Sequence, residues 1–379
     1  TYGPLVYHQL GETPRVYGLQ EAYTRFFADL DEGQQLIREY LDEGGDNNKF
    51  KEYDMLTNGK TLKEWLKFAN SLRLRLAMRI SNVDATLAKD QATKALNDNQ
   101  GVLEGARETI AVMGKNYINP LCAVAGWGEV YMNASMESII NGYEDPRGKK
   151  WYNTALLEGY QKQLLGIPIG LPMKDGDANI YSFCSSLNTS TIGEKTGAVL
   201  MSAAEVWLLR AEAALRGYTK ENPRTCYEYG VSTSFTQWDC AGASEYLESD
   251  KTPADYKDVV SGGKVGKDMK ALITISPKWE EDADIETKLE KIITQKWLAC
   301  WPESYEAWAE QRRTGYPKLF KVQNNTGKVI DTDIMIRRLP FSTDAATADP
   351  AQYATLTEKL GGADNGATRL WWDTGKNSF

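Results

Sequence analysis

Apolar positions along the chain recur mostly at helical spacing. In "EAYTRFFADLDEGQQLIREYL", Tyr23, Phe26, Phe27 and Leu30 follow the i, i+3, i+4, i+7 rule of an amphipathic helix. Ile37, Tyr40 and Leu41 resume the pattern beyond Gly33, a glycine for which periodicity offers no reason. "DEGGDNN" then reads as a loop. The stretch "WLKFANSLRLRLAMRIS", residues 65–81, is apolar on nearly every face. Trp65, Phe68, Ala69, Leu72, Leu76 and Ile80 form one stripe, while Leu66, Leu74, Ala77 and Met78 cover the opposite side. A helix apolar all round is a buried one. Asp84 is the predicted N-cap of the next helix, "ATLAKDQATKALND".

From about 98 to 199 the pattern lapses, apart from a short helix in "EVYMNASMESIING". It returns in "SAAEVWLLRAEAALRGY", with Ser202 as N-cap, Glu205 closing a capping box and Gly217 as the stop. "RTCYEYGVSTSFTQW" reads as a further helix. In "ETKLEKIITQKWLACWPESYEAWAEQRRTG", Pro302 is predicted to end one helix and sit in the first turn of the next. Strand alternation is nearly absent, and "ALITIS" is the short candidate. Helix pairs joined by short turns suggest a tetratricopeptide-like array, and Trp207 and Leu208 facing Ala211, Ala213 and Ala214 partly meet that pattern. The predicted class is therefore predominantly all-α, with minor short strands. Scaffold helices fall at about 18–97, 200–240 and 286–316, and loop-rich parts at about 98–199 and 241–285.

Charge narrows the function. A net charge of −8 argues against nucleic acid, which needs a basic face. No apolar run reaches the roughly 18 residues of a membrane span. The opening "TYGPLVYHQLGETPRVYG" is no signal peptide, so the chain is either cytosolic or lacks its natural start. His8 is the only histidine, which removes His-based triads and zincins. The cysteines at 122, 184, 226, 240 and 300 show no CxxC and no disulfide framework.

Arg73, Arg75 and Arg79 sit at the edges of the apolar stripe. A desolvated guanidinium needs a carboxylate, and its planar fork accepts one with two parallel bonds. Glu205 and Glu212, in an equally apolar helix, are the predicted partners. Arg75, Arg79, Glu205 and Glu212 are therefore read as structural ion pairs.

Several stretches together resemble the SusD/RagB family of outer-membrane lipoproteins from Bacteroidetes. They are "DLDE" at 29–32, the arginine stretch at 65–81, "EDPRGKKWY" at 144–152 and "LMSAAEVWLLRAEAALRGY" at 200–218. "IITQKWLACWPESYEAWAEQRRTGYP" at 292–317, "RRLPF" at 337–341 and "GGADNGATRLWWD" at 361–373 complete the set. The resemblance implies one helical domain over 1–379, with loops on a helical scaffold forming a shallow ligand site. It implies a non-catalytic, lipid-anchored protein of the outer membrane's cell-surface side, needing no cofactor. Such a protein captures glycans, or in some members peptides, and partners a SusC-like TonB-dependent transporter. The family's signal, lipidated cysteine and first helices are not in this sequence, which is read as starting part-way along the family's chain. A helical-repeat scaffold for a protein partner is the alternative from another class, and the long loops argue against it.

With 11 Trp and 20 Tyr, the chain has the aromatic faces that suit sugar rings. Trp65, Trp207, Trp297 and Trp308 lie in helical stripes and are assigned to helix packing. The candidate ligand contacts are the loop aromatics Trp127, Tyr131, Tyr143, Trp151, Tyr181, Phe183 and Trp279. "DGDAN" at 175–179 departs from an EF-hand at positions six and twelve, so no metal is assigned. "GGKVGK" lacks Walker spacing, and no carboxylate pair is set for glycoside hydrolysis.

Overall fold

The computed structural model describes the chain apart from residues 9–10, 55, 58, 114–116, 173–177 and 377. Asp175 and Asp177 of "DGDAN" thus lie outside the described residues. An antiparallel ribbon of β1 (Leu5–Tyr7) and β2 (Arg15–Tyr17) leads into helix α1 (Leu19–Asp42). Helices α2 (Leu62–Arg79) and α3 (Ala85–Leu96) follow. The loop-rich middle carries β3 (Ile110–Val112), α4 (Pro120–Gly126), α5 (Ala134–Tyr143) and α6 (Gly148–Trp151). Strand β4 (Ala198–Met201) pairs antiparallel with β3 and enters α7 (Ala203–Leu215). Then come α8 (Pro223–Gln237), α9 (Ala243–Leu247), α10 (Ile285–Ala299) and α11 (Ser304–Thr314). Helices α12 (Ala345–Ala348) and α13 (Pro350–Leu360) lie near the C-terminal end. The predominantly helical class expected from periodicity is the one observed. No helix of the described residues is long and apolar enough to cross a membrane.

Helix starts follow side-chain chemistry. Thr61 and Glu64 form a reciprocal capping box on α2, and Asp84 caps α3 through the Leu87 N–H at 3.0 Å. Ser202 caps α7 through the Glu205 N–H at 3.1 Å, but the Glu205 carboxylate turns to Arg75 instead of closing the expected box. Gly217, with φ +70°, lets the Tyr218 N–H reach back to the Ala213 carbonyl at 2.8 Å. Pro302 precedes the first turn of α11 rather than occupying it. The helix begins where the Glu303 carboxylate accepts the N–H groups of Tyr305 and Glu306. "ALITIS" forms no strand: the Asp255 carboxylate, not a neighbouring strand, takes the Ala271 N–H at 3.0 Å. Helix α13 escapes the periodicity argument because Leu356 is its one buried residue, although Asp349, Pro350 and Gly361 mark its ends.

Gly33 lies exposed within α1, and a Cβ there would meet nothing within 4 Å. Gly33→Ala is therefore expected to raise stability by about 0.5–1 kcal/mol, read as a shift in the urea midpoint. A loss of stability would mean that this glycine has a role that its surroundings do not reveal.

Helices that follow one another pack together: α2 with α3, α7 with α8, and α10 with α11, while α7 also packs on α2 and α10. Gly230 sets the closeness of α7 and α8, since a Cβ there would stand 2.6 Å from Leu208 Cγ. One apolar core gathers Trp151, Tyr227, Leu208, Ile292 and Trp301, and a second joins Leu74, Met78, Ala92, Val206 and Leu209. On α2 the deep residues are Leu66, Leu74, Ala77 and Met78, whereas Trp65, Phe68, Leu72 and Leu76 of the longer stripe are only half-buried.

Between these cores runs a buried charge network. Arg75 grips both oxygens of Glu205, at 2.7 and 2.6 Å. Arg79 reaches Glu306 at 2.6 Å and Glu310 at 3.0 Å, and Lys296 of α10 meets the same two carboxylates at 2.9 and 3.3 Å. Glu212 is not a partner of α2; it pairs with Arg313 at 2.6 Å and Arg216 at 2.8 Å. Helix α7 places it about two turns beyond Glu205, where it meets Arg313 at the end of α11. Arg73 turns to the other side, to Asp31 of α1 and Gln91 of α3, both at 2.6 Å. Burial alone would raise the Glu306 carboxyl, but the charges of Arg79, Lys296 and Arg75 outweigh it and hold it at about 2. The arginines of α2 thus tie together α1, α3, α7 and α11.

Candidate binding groove

At the α10–α11 junction the helices leave an open groove of about 340 Å³. One wall is α4 with the following segment, contributing Leu121, Val130, Tyr131 and Asn133. Trp297, Trp301, Ala307, Trp308 and Gln311 form the other, and Leu319, Met335 and Ile336 close one end. Aromatic and aliphatic faces with a few amide and hydroxyl groups are the usual lining of a small-molecule site.

Each wall is held by identifiable contacts. Asn119 caps α4 through the Leu121 N–H at 2.9 Å, while its amide donates to the Thr196 carbonyl at 3.0 Å. Met132 is bonded on both sides, its N–H to Ser185 and its carbonyl to Ile167, each at 2.8 Å. Trp301 is fixed from behind. It stacks on Trp151 with centroids 5.0 Å apart and an 18° tilt, meets Trp238 at 5.2 Å, and donates its indole N–H to Tyr152 Oη at 3.1 Å. Trp308 carries the Arg312 guanidinium 3.6 Å from its ring centroid.

Glu303 lines this groove and also a cavity of about 350 Å³ on the other side, where Arg75 and Arg79 lie. Burial, with the nearby Glu306 and Glu205 charges, raises its carboxyl to about 7 against the pull of Arg75. Among the described residues, no group of three or more His, Cys, Asp or Glu is arranged to hold a metal ion.

The predicted contacts divide sharply. Tyr131 lines the groove, its hydroxyl donating to the Gly128 carbonyl at 2.6 Å. Trp127, at the C-terminal end of α4, is 69% exposed, and Phe183 is 50% exposed. Tyr143, Trp151, Tyr181 and Trp279 are core residues, which corrects their expected place at a ligand surface. Each is an anchor. Tyr143 donates to the Ile275 carbonyl at 3.0 Å and Tyr181 to Asp258 at 3.1 Å. Trp151 stacks under Trp301, and Trp279 packs on Tyr227 at 5.3 Å. Tyr143 and Trp151 end the short helices α5 and α6, Tyr181 lies in a 3-10 turn and Trp279 in a connection, and each ring pins its segment to the rest of the fold. Conversely, Trp297 and Trp308, assigned to packing, are half-buried with faces in the groove. The four-residue spacing of Trp297 and Trp301 was the available signal, although Trp301 falls just beyond the end of α10.

The whole chain resembles known proteins. A profile of the SusD-like family, described as Susd and RagB outer membrane lipoprotein, matches residues 1–373. A SusD homologue from Bacteroides vulgatus ATCC 8482 is 56% identical, with a TM-score of 0.96 over 100% of this chain and 76% of that one. A chitin-binding SusD homologue from Flavobacterium johnsoniae is 35% identical, with a TM-score of 0.92 over 100% of this chain and 78% of that one. A SusD-like protein from Bacteroides thetaiotaomicron VPI-5482 is 32% identical, with a TM-score of 0.89 over 98% and 77%. A comparison with proteins of curated function gave no match. The helix pairs, the arginine-tied scaffold and the full-length match agree: this chain belongs to the SusD-like family of outer membrane lipoproteins.

Proposed function

We propose that this protein binds a glycan without chemically changing it and passes it to a SusC-like TonB-dependent transporter. The aromatic groove carries the reading: Tyr131, Trp297, Trp301 and Trp308 line one open cavity of about 340 Å³. Sugar rings stack their C–H faces on such rings and bond their hydroxyls to amides like those of Asn133 and Gln311. Trp127 and Phe183 are proposed to extend contact beyond the groove, because their rings are the exposed ones among the predicted contacts. The chitin-binding relative supports a saccharide as ligand.

Calorimetric titration with chitotriose tests this. Trp297→Ala is expected to weaken binding about tenfold, the effect of losing some 50 Å² of apolar contact at about 25 cal/mol per Å². Retained affinity in a folded Trp297→Ala protein would remove the groove from consideration. Binding from a peptide pool, with none from saccharides, would favour the peptide-binding members of the family. Co-purification with an outer-membrane barrel tests the transporter partnership separately.

A further inference from the structure

The groove does not end at Gln311. That residue, Leu319 and Met335 also line a second cavity of about 420 Å³, so the two share a wall. Met335 has φ +55°, rare for a residue with a side chain, and so a strained residue stands at the junction. The second cavity differs in character. Its lining includes Arg312, Lys321, Arg369 and Lys376, while Asp333 is its one acidic residue among those described. This is a basic recess in a chain of net charge −8.

Carboxylates do not match these cations one for one. Asp333 is held by Lys321, and Asp373 is shared between Arg337 and Arg369, each at 2.7 Å. Among the described residues, Arg312 and Lys376 have no carboxylate within salt-bridge distance. Arg312 is 2% exposed, and its Nη1 and Nε donate to the carbonyls of Arg337 and Trp308, at 2.5 and 3.3 Å. Its guanidinium lies between Trp308, at 3.6 Å from the ring centroid, and Trp372, at 4.9 Å; Trp308 lines the aromatic groove and Arg312 the basic cavity.

We propose that groove and cavity form one composite site for an acidic oligosaccharide, its rings on the tryptophans and its carboxylate beside Arg312, Arg369 and Lys376. This rests on the glycan reading above and names the class of glycan. Burial and the neighbouring Arg79 and Arg337 charges bring the Arg312 guanidinium down to about 9, against the pull of Asp373, so it stays charged at neutral pH. An entering anion relieves that crowding of like charge. The planar fork of Arg369 suits a carboxylate better than it suits an isolated hydroxyl, and Arg312 adds its charge.

The test is calorimetric titration with trigalacturonate and with neutral chitotriose, at low and high salt. The wild-type protein is expected to prefer trigalacturonate by about tenfold at low salt, and to lose most of that preference at high salt. Lys321→Glu with Lys376→Glu, both exposed positions, is expected to cut the ratio of the two affinities about tenfold with the melting temperature kept. Equal affinities in the wild type, or a ratio unmoved by the double substitution, overturns the proposal. In that event, chitotriose binding that falls with Trp297→Ala leaves the groove reading standing alone. Binding of neither probe sinks both.

Discussion

Arg313→Met is expected to destabilise the fold by about 3–5 kcal/mol, the usual result of removing one partner from a buried ionic cluster. Arg313 is 1% exposed and makes five hydrogen bonds. Two go to Glu212, at 2.8 and 2.6 Å, two to Glu310, at 3.1 and 2.5 Å, and one to Ser81 at 3.1 Å. Methionine fills much of the volume but leaves two carboxylates short of a cation. Arg216 still holds Glu212, and Arg79 and Lys296 still hold Glu310, so the loss is large without being the full cost of two bare charges. Against a typical domain stability of about 5–15 kcal/mol, this is a major fraction. Urea denaturation reads it as a lower midpoint at unchanged slope. A shift below about 1 kcal/mol would show that the network is dispensable to the fold.

The second large effect is a pH dependence centred on Glu137. Its side chain in α5 is buried, and its carboxylate accepts the Gly166 N–H at 2.5 Å. Burial raises the carboxyl to about 8, with that hydrogen bond opposing, from an ordinary value of 4.5. The folded protein therefore holds one proton more than the unfolded chain between those two values. Its contribution to stability is complete below about pH 4.5 and falls by roughly 1.4 kcal/mol per pH unit as the pH rises. By about pH 8 the accumulated loss is on the order of 4 kcal/mol. Glu137→Gln keeps the acceptor for Gly166 and removes the ionisation. The variant is expected to match the wild type at about pH 4.5 and to exceed it by several kcal/mol at about pH 8. Parallel urea titrations at the two pH values check this, and equal differences at both would discard it.

Much of the scaffold was legible in the chain because its signals are local. Tyr23 and Phe27, the caps Asp84 and Ser202, and the Gly217 stop each act within one or two helical turns. Arg75, Arg79, Glu205 and Glu212 were readable as ionic residues, since an apolar helix cannot leave a charge unpaired. Their pairing was not readable: Arg79 finds Glu306, 227 positions away, and Glu212 finds Arg313, 101 positions away. Register along a sequence says nothing about which end of one helix faces which end of another.

The groove was the least legible feature. Tyr143, Trp151, Tyr181 and Trp279 sit outside long helical stripes, yet the tertiary fold turns them inward to anchor their segments. Trp297 and Trp308 sit in helical stripes, yet one cavity, lined by Pro302 and Glu303 from the break between α10 and α11, reaches both rings. By itself, then, the sequence determined the capped starts of α3 and α7 and the Gly217 stop, that arginines would be buried with carboxylates, and which family the chain resembles. All three rest on patterns a few residues long, or on motifs in order. Only the tertiary structure decided which aromatic faces remain open and which cations lack a carboxylate. Exposure and charge balance at a point depend on every segment packed around it, and those segments come from distant parts of the chain.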